Sequence, residues 1–265
     1  MPEALSGGVR LHYRVDGPAG GPALLLSNSL GTTLELWDSV LPALTERHRV
    51  IRYDQRGHGR SDGPEGDYDL GTLGHDALAV LDAVGAERAH VAGISLGGQT
   101  ALWLGIHAPA RVDRLVLANT GAAIGTAALW NARIDTVRSS GMGAIVEGLL
   151  GRWFTPAFHH EHPDLLAQFR TMIRTCPVAG YVGCSAAVRD ADLRADLGRI
   201  TAPSLVIVGT ADVATPPALG EALRDGIADS RLVALDAAHL SNVERADDFA
   251  RALTDFLDPP GDPHG

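Results

Sequence analysis

Lysine is absent from the 265 residues, so all 22 fixed cations are arginines. They face 32 carboxylates, and the formal net charge is −10. A nucleic-acid binder presents a concentrated basic face, and none is visible here. The same acidic balance argues against docking to anionic lipid. A phosphate loop ending G-K-[ST] cannot be completed without lysine. Cysteine is nearly absent too: Cys176 and Cys184 form no C-x-x-C pair and are too few for a disulfide framework. Both are expected to be reduced. No apolar run approaches the ~18 residues of a membrane span. The opening MPEALSGGVR lacks the basic-then-apolar order of a signal peptide. These absences lead us to expect a cytoplasmic chain, a monomer or small homo-oligomer, with no nucleic-acid or membrane partner.

What is present is a normal globular share of apolar residues, 45%. Val9–Val15 alternates apolar and polar residues, as a half-buried antiparallel strand does. Ala23–Leu26 and His48–Tyr53 are short buried-strand patterns. Leu70–Val84 has helical spacing and stops at Gly85. The strand Ala89–Ile94 precedes a helix over Leu96–His107, and Val112–Ala118 is the next strand. Such alternation predicts a parallel sheet covered by helices on both faces. From about Ala122 to Asp190 no strand pattern appears, only helical stretches broken by glycine and proline. Alternation resumes with Ser204–Val208, a helix near Pro217–Gly226, the strand Arg231–Leu235 and a last helix from about Val243 to Phe256. The expected organisation is a core of residues 1–121 and 191–265 with a helical cap at 122–190. The tail PPGDPHG is expected to be disordered.

Gly93-Ile94-Ser95-Leu96-Gly97 matches G-x-S-x-G between a strand and a helix. A serine there occupies a strained turn, and side chains at either glycine would strike neighbouring elements. Ser95 is the candidate nucleophile. A serine hydroxyl needs a base to take its proton, and the chain order in this fold is serine, acid, histidine. Asp212 and His239 each follow a strand, where open α/β sheets build their sites. Asp236 and Asn119 are alternatives for the acid. Asp236 is close in sequence to His239, and an amide at Asn119 cannot stabilise an imidazolium as a carboxylate does. Two oxyanion donors are expected: the N–H of Leu96, and that of Leu30 in the loop Ser27–Gly31. Ser241 and Glu244 read as a capping box for the last helix. Asp54–Ser61 reads as a fixed loop, and Pro163 directly after His159–His162 argues against a metal site there.

The motifs DQRGHGRSD, GISLGG and GTADVATPP resemble those found across α/β-hydrolases. More telling are LSNSLGTTLELWD, LANTGAAIG followed by Trp130–Ile134, RWFTPAF, GYVGCSAAVRDADLR and LDAAHLSNVE. In these the chain resembles the 3-oxoadipate enol-lactonases, and like that family it has Asn28-Ser29 where most relatives carry His-Gly. The resemblance implies an α/β-hydrolase fold: a mostly parallel eight-stranded sheet flanked by helices, with an all-helical cap after the sixth strand. It places the triad on Ser95, Asp212 and His239 and requires no metal and no cofactor. It implies a small anionic lactone as substrate, whose carboxylate needs a local cation. Arg133 is the candidate, with Trp130 as an apolar wall. A general carboxylesterase, a carbon–carbon bond hydrolase and a non-catalytic ligand receptor are the alternatives on the same scaffold.

Overall fold

The computed structural model describes residues 2–258. The sheet begins with β1 (Glu3–Ser6), β2 (Val9–Asp16) and β3 (Ala23–Ser27), followed by the short helix α1 (Leu41–Leu44). Then come β4 (Arg49–Tyr53), α2 (Leu70–Ala83), β5 (Ala89–Ile94), α3 (Leu96–His107) and β6 (Val112–Ala118). Five helices follow with no strand among them: α4 (Ala127–Ser140), α5 (Val146–Trp153), α6 (Pro156–Glu161), α7 (Pro163–Thr175) and α8 (Val178–Asp190). The chain closes with β7 (Ser204–Gly209), α9 (Pro217–Gly226), β8 (Ser230–Leu235), α10 (Ser241–Glu244) and α11 (Ala246–Leu257).

The strand order is β1-β2-β4-β3-β5-β6-β7-β8. β2 pairs antiparallel with β1 and β4; every other pairing is parallel. The expected eight-stranded, mostly parallel sheet with helices inserted after the sixth strand is therefore observed. Its central strands are apolar on both faces because helices cover both. Leu24, Leu25 and Leu26 of β3 and Leu205 and Ile207 of β7 are fully buried. Asp69 caps α2 by accepting from the Thr72 N–H at 2.6 Å. Gly74 lets α2 pack on α3, since a Cβ there would collide with the Trp103 ring.

Two details differ from the sequence expectation. The edge strand β1 has only four residues, too few for a visible period. The last helix is broken at Arg245 (φ −130°, ψ 54°) into α10 and α11. The tail 259–265, expected to be disordered, lies outside the described residues. Cys176 and Cys184 are both buried and free. Among the described residues no helix is long and apolar enough to cross a membrane.

Candidate active site

Ser95 sits between β5 and α3 with φ 58° and ψ −119°, in the region L-residues avoid. Its N–H donates to the Ala118 carbonyl (3.1 Å), and its own carbonyl accepts from Thr120 Oγ1 (2.7 Å). These bonds hold the strained turn. A Cβ on Gly93 would fall inside contact distance of the Gly97 carbonyl, and one on Gly97 would strike the Ser27 carbonyl. Side chains are therefore forbidden at both positions. α3 starts at Leu96, so the Leu96 amide belongs to the first turn, where N–H groups lack intrahelical partners. The Leu96 side chain itself is buried.

The loop after β3 is fixed through its polar groups. The Asn28 amide donates to the Tyr53 carbonyl (2.7 Å) and accepts from Trp37 Nε1 (2.8 Å). The Asn28 carbonyl accepts from Gln55 Nε2 (2.7 Å). Gly31 N–H donates to Nε2 of His58 at 3.0 Å, and the other ring nitrogen, Nδ1, faces the Arg56 carbonyl at 3.1 Å. His58 therefore acts as a neutral brace beside Leu30. The rest of its loop is pinned by a buried Arg56–Asp76 pair and by Arg10 on Asp62, which fits a fixed loop.

Burial holds His58 down at about 4, and His90 likewise at about 4; His48 is also lowered by burial. An unfolded histidine titrates near 6.5. Between those values the unfolded chain takes up the extra protons, so stability falls as pH falls from about 6.5 towards 4. The contribution is complete above that window and is about 3 kcal/mol for His58. Buried Asp54 is raised and works in the opposite direction. Thermal unfolding from pH 7 to 4.5 is expected to show a falling midpoint. His58→Asn should flatten that slope, and an equal slope in the variant would remove His58 from the cause.

Asp212 and His239 stand at the ends of β7 and β8. His239 Nδ1 lies 2.9 Å from Asp212 Oδ2. The same oxygen accepts from Thr215 Oγ1 (2.6 Å) and from the Asn119 amide (3.0 Å). The other oxygen accepts from the N–H groups of Ala214 (2.8 Å) and Thr215 (2.9 Å). Burial alone would push this carboxyl up; attraction to His239 and the hydrogen bonds from His239 and Thr215 outweigh it and hold it at about 2. Of the alternative acids, Asn119 supports the Asp212 carboxylate, and Asp236 is exposed and bound to Arg245 (3.2 Å).

The expected capping box does not form. Ser241 Oγ donates instead to Asn119 Oδ1 (2.5 Å). One Glu244 oxygen accepts from the Ala238 N–H (2.8 Å), and the other accepts from Thr155 through its N–H (3.1 Å) and its hydroxyl. Long-range partners win because α10 lies against both the His239 loop and the start of α6.

Ser95, His239, Leu30, Trp130 and Arg133 all line one cavity of about 570 Å³. Asp212 lies behind His239. Trp130 is anchored by its indole N–H to the Ile124 carbonyl (2.6 Å), and the Arg133 guanidinium lies 4.7 Å from its ring centroid. The cavity is also lined by Arg152 and Tyr181, which lie in the motifs RWFTPAF and GYVGCSAAVRDADLR but carry no sequence pattern that assigns them a role. The supporting roles of Thr215 and Asn119 were equally hidden, although Asn119 carried a signal in its place at a strand end. In the His159–His162 stretch, His159 Nε2 faces the Leu150 carbonyl (3.0 Å) and His162 packs on Phe158. Among the described residues no group of three or more His, Cys, Asp or Glu side chains could hold a metal ion.

A family model described as the alpha/beta hydrolase fold matches residues 22–246. The chain is 41% identical to 3-oxoadipate enol-lactonase 2 of Acinetobacter baylyi, over 92% of each chain. It is 37% identical to a putative carbamate hydrolase, RutD, of Variovorax paradoxus, over 93% of this chain and 96% of that one. The crystal structure of the enol-lactonase from Burkholderia xenovorans superposes with a TM-score of 0.95 at 41% identity, covering 97% of this chain and 99% of the other.

Proposed function

The chain belongs to the alpha/beta hydrolase family, and from that premise we propose that it hydrolyses 3-oxoadipate enol-lactone, or a closely similar anionic lactone, through a serine nucleophile. The observation that carries this most is the composition of one cavity. Ser95, His239 and Arg133 share it, so a reacting carbonyl and a remote carboxylate can be served together. The relatives named enol-lactonases, similar along nearly the whole chain, support the same substrate.

The proposed steps use this chain's own groups. Asp212 keeps a proton on Nδ1 of His239, leaving Nε2 as the base. His239 takes the Ser95 proton as Oγ adds to the lactone carbonyl. The oxyanion is received by the amides of Leu96 and Leu30. The ring C–O bond breaks, and the departing enolate takes the proton back from the imidazolium and tautomerises to the ketone. Water, deprotonated by His239, then releases the acid and regenerates Ser95. The division into a core of 1–121 and 191–265 and a cap of 122–190 belongs to the same proposal, with Trp130 and Arg133 as cap residues facing the substrate.

A carbamate hydrolase is the second possibility, because of the RutD-like relative. A carbamate has no carboxylate remote from its reacting carbonyl and would leave the cavity's guanidinium groups without a partner. Side-by-side assays decide: the enol-lactone is expected to exceed a carbamate and simple esters in kcat/KM. Arg133→Ala should raise KM for the lactone at least ~10-fold more than for a neutral ester, the size expected for a lost charged hydrogen bond. Faster turnover of the neutral substrates would overturn the lactonase assignment.

A further inference from the structure

The main cavity adjoins a second hollow of about 320 Å³, and the two share four wall residues: Leu129, Arg133, Leu149 and Arg152. Leu129 and Arg133 are four apart on α4; Leu149 and Arg152 are three apart on α5. Each helix therefore turns one leucine and one arginine toward the gap. Neighbouring arginines are matched by carboxylates: Arg138 by Asp67, Arg170 by Glu147, and Arg189 by Asp67 and Asp190. Among the described residues Arg133 and Arg152 have no ion-pair partner. In a chain of net charge −10, two guanidinium groups left uncompensated beside one cavity make a local positive site.

A second observation points to the same place. The Tyr181 hydroxyl is buried in the cavity wall and finds no acceptor for its proton. Burial pushes this phenol up to about 12, while Arg133 and Arg152 both act on it in the opposite sense. Both cations line the same cavity as this phenol. Arginine only donates, so nothing in the wall takes the phenol proton. Such a cluster of donors without an acceptor matches a ligand carboxylate.

We propose that Arg152 is a specificity-determining residue: with Arg133 it forms an anion gate between α4 and α5, which admits and holds acyl substrates carrying a carboxylate away from the scissile carbonyl. The gate deepens the hydrolase proposal and rests on it. Leucine on each side suits the short hydrocarbon between that carboxylate and the ester. The gate also supplies a positive funnel through an otherwise acidic surface, the arrangement that speeds capture of anions.

Two 4-nitrophenyl esters of similar length test it, the glutarate half-ester and the neutral pentanoate, each assayed from 20 to 300 mM salt. The wild type is expected to favour the anionic ester, less so at high salt as the charges are screened. Arg152→Gln should lower the anionic-to-neutral ratio of kcat/KM about 10-fold, mainly through KM, and flatten the salt dependence. Arg152→Lys should keep most of the ratio, and Arg152→Glu should reverse the preference. A merely structural role would lower both esters together. An unchanged ratio in Arg152→Gln, or no charge preference in the wild type, would overturn the gate. These probes are independent of the enol-lactone: a chain that prefers the anionic ester yet ignores the lactone keeps the gate and loses the lactonase assignment.

Discussion

Ser95→Ala is expected to lower kcat by about a millionfold, the loss seen when a triad serine is removed. The fold should survive. Alanine at φ 58° is no worse placed than serine, and the bonds that hold this turn are made by its backbone N–H and carbonyl. A melting temperature within a few degrees of wild type, with no turnover of an activated ester, is the expected pair of results. Activity above trace level would remove Ser95 from the chemistry. A fluorophosphonate, which loses fluoride as it bonds to an activated serine, should add its mass to the wild type at Ser95 and leave the variant untouched.

Asp212→Asn should cost up to ~10⁴ in kcat, and the surroundings of Asp212 add a stability loss. Both carboxylate oxygens are surrounded by donors: two backbone amides on one side; Thr215, Asn119 and His239 on the other. An asparagine has only one acceptor oxygen. Whichever way its NH₂ points, it meets donors, and at least one buried group is left unpaired at about 1–3 kcal/mol. The variant is therefore expected to be both slow and less stable. A loss below tenfold in kcat would place the acid elsewhere.

The sequence carried the sheet well because its signals are local. β5, α3 and β6 begin and end where periodicity put them, and the glycines around Ser95 announce a steric demand that the turn fulfils. What it could not carry was partnership across the chain. Ser241 and Glu244 have the spacing of a capping box, yet Asn119 and Thr155, distant in sequence, compete for them successfully. Asn119 was weighed as an acid and serves as a donor to one. Arg152 follows an apolar stretch of α5 and looks like surface charge until the fold sets it in one cavity wall with Arg133 of α4.

Glu244 has a mechanical consequence. Its carboxylate binds Thr155, at the start of α6, and the Ala238 amide, directly before His239. Nearby, the Leu240 N–H donates to the Trp153 carbonyl at 3.0 Å. Lifting this end of the helical insertion would unmake the Thr155 and Trp153 bonds at once, several kcal/mol in sum, and would free Glu244 from the insertion beside the segment that carries the base. Traffic in and out is therefore better served by a stationary wall with a side opening than by a swinging door. Slow hydrogen exchange at the amides of Thr155 and Leu240 is the signature such rigidity would leave.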